Sequence, residues 1–308
     1  MHLNGLDLNL LVALDALLIT RNVTRAAERL NLSQPTLSGA LARLRDHFGD
    51  PLLVRMGRRM ELTPRAELLQ EAVRDILLRI DTSLSAQPQF DAASSTRCFT
   101  LLVSDYTLAV LMPHLLGLAA KQASGVRFDF RRLTGAEPAL ALERGEADLL
   151  FIPQQFASSD HPAEILFEEG LVCAVWQGSR HARGKLTRRT YEEAGHVDLH
   201  PTDVPAISVV GPLLQHLGML RRVEVSSHSF LTLPALVVGT DRIATIHHRL
   251  AHAAMSAWPI LLRPPPIALP PLTMVIQWHR LRALDPGLEW LRDLIRAAVA
   301  SMPAMPDP

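Results

Sequence analysis

The chain has 308 residues, 48% hydrophobic and 20% charged, a balance typical of a folded globular protein with two or three compact units. Its 31 basic and 31 acidic residues cancel, so the overall charge gives no sign of a nucleic-acid partner. No apolar run reaches the roughly 18 residues of a membrane helix, and two cysteines are too few for a disulfide framework. We therefore expect a cytoplasmic protein without a membrane partner.

Three short helices are predicted at the start of the chain. Leucines recur at helical spacing over residues 8–19, and a second helix is predicted over residues 23–30. Ser33 is placed to cap a third helix with Pro35 in its first turn, where a proline loses no helical hydrogen bond. The short turn between the second and third helices predicts a helix-turn-helix unit that packs on the first helix.

The outer surface of the third helix carries polar side chains near its amino terminus, as a recognition helix does in a major groove. Glutamine can pair with adenine, serine with several bases, and arginine with phosphate. We therefore expect DNA contacts from Gln34, Thr36, Ser38 and Arg43. An ordinary three-helix corner with a capped helix would show the same pattern and remains the alternative.

A basic hairpin follows this unit. The segment DPLLVRMGRRMELTP predicts two strands around Gly57, with Arg55, Arg58 and Arg59 clustered on them. Such a wing beside a recognition helix would bind DNA backbone or minor groove. Taken alone, the arginine cluster fits a solvated hairpin tip better, and the helix-turn-helix beside it is what favours DNA.

Thr63 and Pro64 are predicted to start a long helix that ends near Leu84. Apolar residues alternate in four- and three-residue steps along it and predict a coiled-coil seam for dimerisation: Leu69, Val73, Ile76, Ile80 and Leu84. Because only about three heptads exist, packing of this helix on its own domain is the alternative.

The rest of the chain alternates predicted strands and helices, which indicates a mostly parallel α/β sheet. Residues 85–96 contain few large apolar side chains and predict a hinge. Strands are predicted over residues 97–103, 126–133, 148–152, 165–176, 204–210, 222–226 and 241–247, and helices over 106–120, 138–143 and 288–299.

Ligands of open α/β sheets bind beyond the carboxyl ends of strands, beside helix amino termini. Three strand ends offer polar or aromatic side chains for a ligand such as a carboxylate or phenol: Ser104, Asp105, Tyr106 and Thr107; Ser227, His228, Ser229 and Phe230; Thr245 and His247. Tyr106 and Phe230 are suited to contact an aromatic ring. Ser104 would also cap the helix that follows it, and both roles are compatible.

Other site chemistries lack their usual patterns. His248 and His252 lie one helical turn apart, but no HExxH motif or convergent cysteine accompanies them, so no metal is predicted. No GxSxG elbow, GxGxxG loop or phosphate loop occurs, so neither an enzyme nor a cofactor is expected. Cys98 and Cys173 are predicted to lie in different lobes, which argues against a disulfide switch, while Cys173 alone is a candidate sensor.

The segments LDLNLL, AAERLNLSQPTLSGALARLR and DPLLVRMGRRMELTP resemble the winged helix-turn-helix of LysR-type transcriptional regulators, and the remaining chain is similar to that family in arrangement. Residues 7–11 and the late IQWHR are most similar to nodulation regulators and activators of aromatic-degradation operons. The resemblance implies that Gln34, Pro35 and Ser38 approach bases and that Arg55 reaches the minor groove. Gly39 departs from the family pattern, because many members have a long polar or basic residue there.

The resemblance also implies a domain order. A mainly α winged helix-turn-helix would span residues 1–63, a linker helix for dimerisation 64–86, a hinge 87–96, and an α/β effector domain like periplasmic binding proteins 97–308. The first lobe would comprise residues 97–164 and 266–300 and the second 165–265, with crossover strands near Ile165 and Pro265.

The implied function is that of an inducer-responsive regulator, expected to be an activator. It would bind double-stranded promoter DNA as a homodimer or homotetramer, the tetramer being a dimer of dimers, and sense a small aromatic or anionic molecule. RNA polymerase is a further candidate partner. A constitutive DNA-binding regulator without a physiological inducer is the alternative, and an enzyme built on the α/β domain is a third hypothesis.

Overall fold

The computed structural model describes residues 6–57, 59–84, 90–133, 138–199 and 209–305. It divides near residue 87 into an amino-terminal unit and a larger unit that holds most of the chain. Each unit has its own hydrophobic core. None of the helices within the described ranges combines the length and apolar character needed to cross a membrane.

The amino-terminal unit consists of four helices and one hairpin: α1 Leu8–Thr20, α2 Val23–Arg29, α3 Gln34–Phe48, α4 Pro64–Leu84, β1 Leu53–Met56 and β2 Arg59–Leu62. Side-chain oxygens of Asn22, Ser33 and Thr63 accept backbone N–H groups at the starts of α2, α3 and α4. Ala26 and Ala27 are buried between helices, where their small side chains allow α2 and α3 to cross closely. The three predicted short helices and the wing are therefore present.

The predicted coiled-coil seam on α4 is wrong in its first half. Val73 is 3% exposed, and Leu69 packs with it against the core of its own unit. Ile76, the third residue of the predicted seam, is 44% exposed. Leu68, which was not part of that seam, is 81% exposed. Because neighbouring residues on a helix point about 100° apart, a shift of one position separates the outward stripe from the core-facing one. Leu84 closes the predicted seam, and its side chain lies outside the described part of α4.

The larger unit contains two five-stranded sheets, each the centre of one lobe. The strands are β3 Cys98–Val103, β4 Arg127–Arg132, β5 Leu149–Pro153, β6 Ala163–Glu169, β7 Leu171–Trp176, β8 Gly195–Leu199, β9 Arg222–Ser227, β10 Ile243–His247, β11 Ile260–Arg263 and β12 Leu272–Gln277. The first lobe has the order β4-β3-β5-β12-β6 and the second β11-β7-β10-β8-β9.

Seven α-helices accompany these sheets in the described ranges: α5 Asp105–Val110, α6 Met112–Gln122, α7 Leu140–Glu143, α8 Arg188–Glu193, α9 Val210–His216, α10 His248–Ala254 and α11 Pro286–Ala300. The predicted helix over residues 106–120 is split at Leu111 into α5 and α6. Pro113 in the first turn of α6 has no N–H to continue the hydrogen bonds of α5.

The sheets are mixed, which corrects the expectation of a mostly parallel sheet. In the first lobe β3 pairs in parallel with β4 and β5, whereas β12 is antiparallel to β5 and β6. In the second lobe β10 is parallel to β8 but antiparallel to β7. The antiparallel pairs arise where the chain crosses from one lobe to the other and returns.

The first crossover was predicted near Ile165 but lies at Gly170. β6 pairs with β12 up to Glu169, so it belongs to the first lobe, and β7 begins the second lobe at Leu171. Apolar residues continue from β6 into β7, so the sequence pattern does not show that the two strands belong to different sheets. The return falls between Arg263 and Leu272, which includes the predicted position at Pro265.

Three further expectations differ from the structure. The strand β8 and the helix α8 were not predicted, and α9 begins at Val210, where a strand over 204–210 was predicted. Residues 204–208 of that strand and 85–89 of the predicted hinge lie outside the described residues. In the rest of the hinge, Phe90 packs on the first lobe with its ring centroid 5.2 Å from that of Trp290.

Candidate DNA-binding surface and inter-lobe cleft

The front of α3 is held by one buried side and one cap. Leu37, Leu41 and Leu44 are buried against the core, and the Ser33 hydroxyl accepts the backbone N–H of Thr36 at 3.3 Å. This arrangement leaves the predicted base-contacting side chains exposed: Gln34, Pro35, Thr36 and Ser38. Gln34 and Ser38 are four residues apart and share one side of the helix.

Arg43 does not belong to the same surface as Gln34. At about 100° per residue, it lies about 180° around the helix from Gln34. Its guanidinium is 3.3 Å from the carboxylate of Asp7, which also accepts the N–H of Leu10 at the start of α1. That N–H bond, together with Arg43, holds the pKa of Asp7 below its usual value.

Gly39 occupies open space on the exposed side of α3. A Cβ atom at this position would meet no other atom within 4 Å. Packing therefore does not require glycine here, and the departure from the family pattern removes a side chain without any steric cause in this unit.

The wing presents Arg55 as predicted. Arg55 is exposed, and its Nε donates to the carbonyl of Gly57 at 3.2 Å, where the turn residue has φ of +62°. Arg59 is exposed at the start of β2, and Arg58 lies outside the described residues. The hairpin thus places at least two cations at one end of the unit.

Arg45 is a residue that sequence reasoning missed. Its Nε donates to the carbonyl of Pro51 at 2.8 Å and its Nη2 to that of Leu53 at 3.0 Å. These bonds brace the wing against α3. Nothing in the local pattern distinguishes Arg45 from a solvated helix arginine.

The larger unit has a cleft of about 430 Å³ between its lobes. The first lobe contributes Val103, Ser104, Asp105, Arg132 and Leu133, and the second contributes Ser227, His228 and Ser229. These residues lie at or just beyond the carboxyl ends of β3, β4 and β9, as expected for a ligand site of α/β sheets. Five of the predicted residues line this cleft: Ser104, Asp105, Ser227, His228 and Ser229.

Arg132 and Leu133 are cleft residues that the sequence analysis missed. Arg132 and Leu133 close the strand predicted over 126–133, so its carboxyl end was an available signal. Arg132 makes no ion pair with any residue that the structure describes. Its charge is therefore available to a bound anion.

Ser104 both caps α5 and lines the cleft. Its hydroxyl accepts the backbone N–H of Thr107 at 3.1 Å and lies 3.1 Å from the hydroxyl of Thr107. Thr107 itself is 1% exposed and does not reach the cleft, which corrects its prediction as a ligand contact. Its role is to hold Ser104.

Tyr106, Phe230 and His247 form a buried aromatic cluster next to the cleft. The Tyr106 and His247 rings stack with centroids 4.0 Å apart, and Phe230 meets His247 edge-on at 4.8 Å. With Ser104, these residues surround a narrow gap. Burial lowers the pKa of His247 to about 3, so its ring is neutral at neutral pH.

Thr245 points away from the cleft, which corrects its prediction as an effector-binding residue. Its hydroxyl is 2.6 Å from that of Tyr191 and 3.7 Å from the sulfur of Cys173, on the opposite side of the second sheet. Along β10, Ala244 and Ile246 pack with Tyr106 and Phe230, so Thr245 faces the other side of the sheet. His247 departs from this alternation because it ends the strand, and its ring stacks on Tyr106.

The two cysteines have different surroundings. Cys98 is exposed in the first lobe, and Cys173 is fully buried in the second. Burial raises the pKa of the Cys173 thiol to about 12, which keeps it protonated and disfavours the predicted role as a sensor. Within the described ranges, no group of three or more histidine, cysteine, aspartate or glutamate side chains is placed to hold a metal.

Two protein-family models match most of the chain. The bacterial regulatory helix-turn-helix protein of the lysR family matches residues 8–67, and the LysR substrate binding domain matches residues 93–300. Nodulation protein D 1 of Rhizobium meliloti is 42% identical over 297 residues, with 96% of each chain covered. Nodulation protein D 3 of Rhizobium leguminosarum bv. phaseoli is 40% identical over 303 residues, which cover 98% of this chain and all of that protein.

A solved structure supports the fold. Full-length OxyR from Pseudomonas aeruginosa matches with a TM-score of 0.74 and 21% identity, covering 98% of this chain and 99% of that one. The predicted fold and the narrower resemblance to nodulation regulators are thereby confirmed. The chain belongs to the LysR family of bacterial transcriptional regulators, which are DNA-binding proteins and not enzymes.

Proposed function

We propose that this regulator is an inducer-responsive activator that binds promoter DNA through α3 and the wing and senses a small aromatic or anionic molecule. LysR regulators bind promoter DNA and small effectors and form oligomers. The observation that carries the proposal is the polar cleft of about 430 Å³ between the two lobes. Sites for small molecules commonly measure about 300–1,000 Å³, so a molecule of one or a few rings fits.

On the DNA side, we assign base contacts to Gln34, Pro35, Thr36 and Ser38, which are exposed together at the front of α3. Arg55 and Arg58 of the wing would bind backbone or minor groove. Arg43 would act on phosphate at most, because Asp7 already holds its guanidinium on another side of the helix.

On the ligand side, Arg132 supplies a positive charge and Ser104 and Ser227 supply hydroxyl groups. A carboxylate or phenolate is the group that these donors favour. Asp105 also lines the cleft, but its carboxylate is occupied by Ser229 and by the N–H groups of Tyr106 and Leu231. The aromatic cluster of Tyr106, Phe230 and His247 gives the adjoining wall an apolar character.

For the assembly, we propose a cytoplasmic homodimer built on α4 and, at the promoter, a homotetramer made of two dimers. The exposed stripe of Leu68, Ala72 and Ile76 offers the apolar face that such a dimer needs. The winged unit over residues 1–63, the linker helix over 64–86 and the effector domain after the hinge are the proposed divisions. Contact with RNA polymerase would follow from activation at the promoter.

The proposal is tested by melting the full chain with a panel of aromatic acids and flavonoids and by footprinting its promoter region with each stabilising compound. We expect a ligand-dependent rise in melting temperature and a changed footprint. Arg132→Ala should abolish the rise, whereas Arg189→Ala, an exposed site on α8, should retain it. DNA protection without any stabilising compound would support a constitutive regulator, and absence of protection at any salt concentration would refute the DNA-binding assignment.

A further inference from the structure

We propose that Tyr106 is a positioning residue that couples the inter-lobe cleft to the point where the chain crosses between the lobes. This inference rests on the proposed function of the cleft as the effector site. It assigns to Tyr106 a task different from the ring contact with a ligand that its sequence suggested.

Tyr106 lies between the edge of the cleft and the core of the second lobe. It directly follows Ser104 and Asp105, which line the cleft, and α5 continues from strand β3 of the first lobe. Yet its ring is 1% exposed and lies in the core of the second lobe, stacked on His247. The first turn of α5 is thus anchored in the opposite lobe.

The phenol of Tyr106 has a buried carboxylate as its partner. The Tyr106 hydroxyl donates a hydrogen bond of 2.5 Å to Oε2 of Glu169. Glu169 is the last residue of β6, its side chain is fully buried, and Gly170 follows it at the crossover. Tyr106 therefore reaches from the edge of the cleft to the crossover itself.

The second lobe binds the same carboxylate through α10. The backbone N–H of Arg249 in α10 donates to Oε1 of Glu169 at 3.0 Å, and its Nε lies 3.3 Å from Oε2. Next to it, the N–H of His248 donates to the carbonyl of Gly170 at 2.9 Å. A buried carboxylate is tolerated only with such partners, so removing one hydrogen bond also displaces the remaining partners of Glu169.

These contacts form one continuous path. A ligand that displaces Ser104 or Asp105 would move the first turn of α5, and the phenol would pass that displacement to Glu169 and to the start of α10. Packed elements shift between discrete arrangements more readily than they bend. The angle between the lobes would therefore respond to occupancy of the cleft through Tyr106.

The chain offers a matched control, because its only other tyrosine is also buried and also bonded through its hydroxyl. The Tyr191 hydroxyl lies 2.6 Å from that of Thr245 within the second lobe, and it is bonded to neither Glu169 nor Gly170. Tyr106→Phe and Tyr191→Phe each keep the ring and remove one buried hydroxyl. Hydrogen exchange by mass spectrometry on the full chain without ligand then compares peptides over residues 163–170.

We expect Tyr106→Phe to speed exchange in this crossover peptide by about tenfold, because a hydrogen bond to a buried charge is lost. Tyr191→Phe should leave it within about twofold. Equal effects of both variants on the crossover peptide, or an effect of Tyr106→Phe confined to α5, would overturn the coupling.

If Tyr106→Phe does not fold, exchange of the unmodified chain in low urea decides the matter. Peptides over residues 104–110 and 163–170 should lose protection at the same urea concentration, and separate midpoints would refute the proposal. Because neither measurement uses a ligand, the coupling can fail while the cleft still binds an effector, and the reverse result is equally visible.

Discussion

Asp105 of the first lobe accepts a hydrogen bond of 2.6 Å from the hydroxyl of Ser229 in the second lobe. Both residues line the cleft, and they are 124 positions apart in the chain. This bond closes one side of the cleft directly, whereas Tyr106 connects the lobes deeper in the core. The contact between the lobes at this side of the cleft is therefore a polar one, which a ligand with hydroxyl or carboxylate groups can replace.

Ser229→Ala should lower the free energy of unfolding of the larger unit by about 1 kcal/mol, because a hydrogen bond to a carboxylate is removed. Urea unfolding followed by tryptophan fluorescence measures this, since all four tryptophans lie in that unit. Ser256→Ala, which loses only a bond to the carbonyl of Ala253, is the control and should cost less. Equal losses would show that the bond across the cleft has no special weight.

Gln34→Ala and Arg55→Ala should weaken DNA binding in different ways. Loss of Gln34 should reduce discrimination between promoter and scrambled DNA by about 1–3 kcal/mol, the usual value of a bidentate base contact. Loss of Arg55 should weaken binding to both DNAs and lower the salt dependence by about one ion. Fluorescence anisotropy over a range of salt separates the two, and an unchanged preference after Gln34→Ala would contradict the placement of α3 in a major groove.

The exposed stripe of α4 predicts which substitutions affect assembly. Leu68→Glu should weaken the dimer, because Leu68 is 81% exposed within the chain and free for a partner helix. Val73→Ala should instead destabilise the amino-terminal unit by about 1–3 kcal/mol, since Val73 is buried in its core. Analytical ultracentrifugation and thermal unfolding distinguish these effects, and a dimer lost only with Val73→Ala would restore the original seam.

His247 should make the larger unit acid-labile. Its pKa is lowered by burial from 6.5 to about 3, so the unfolded chain takes up a proton at a higher pH than the folded one. The stabilisation from neutral His247 is complete above about pH 6.5 and is lost as the pH falls toward 3, with a loss of about 2 kcal/mol at pH 5.

His247→Phe keeps a ring against Tyr106 and removes this proton. The loss of unfolding free energy between about pH 7.5 and pH 5 should be smaller for His247→Phe than for the unmodified chain by about 2 kcal/mol. Urea unfolding at both pH values gives the comparison. Parallel losses in the two proteins would mean that His247 is not held neutral in the folded state.

The cysteines should react at very different rates. Cys98 is exposed and should be alkylated by iodoacetamide in the native protein, while Cys173 is buried, has a pKa of about 12 and should react only after unfolding. Mass spectrometry of the labelled peptides measures both sites, and Cys98→Ser should abolish the native reaction. Native labelling of Cys173 would reveal an opening of the second lobe that its packing does not predict.

The features that the sequence determined by itself are those encoded within one helical turn or one strand. The side chains of Asn22, Ser33 and Thr63 each accept the backbone N–H of the residue three positions ahead and so cap a helix. The spacing of apolar residues located most helices and strands. The helix α3 and its exposed front follow from such local rules. The strand ends near Ser104 and Ser227 were also visible, because β propensity and the polar residues after it are local.

The tertiary structure decided every feature that depends on a distant partner. A difference of one position along α4 placed Leu68 outside and Leu69 and Val73 inside. In β10, packing put Thr245 beside Tyr191 and His247, two residues later, against Tyr106. Tyr106 and Glu169 are 63 positions apart, so no local pattern announces their contact. Periodicity shows which residues share one side of a helix or strand. Only the packing of the whole domain decides which side is buried, because the free energy of burial depends on the residues that lie opposite.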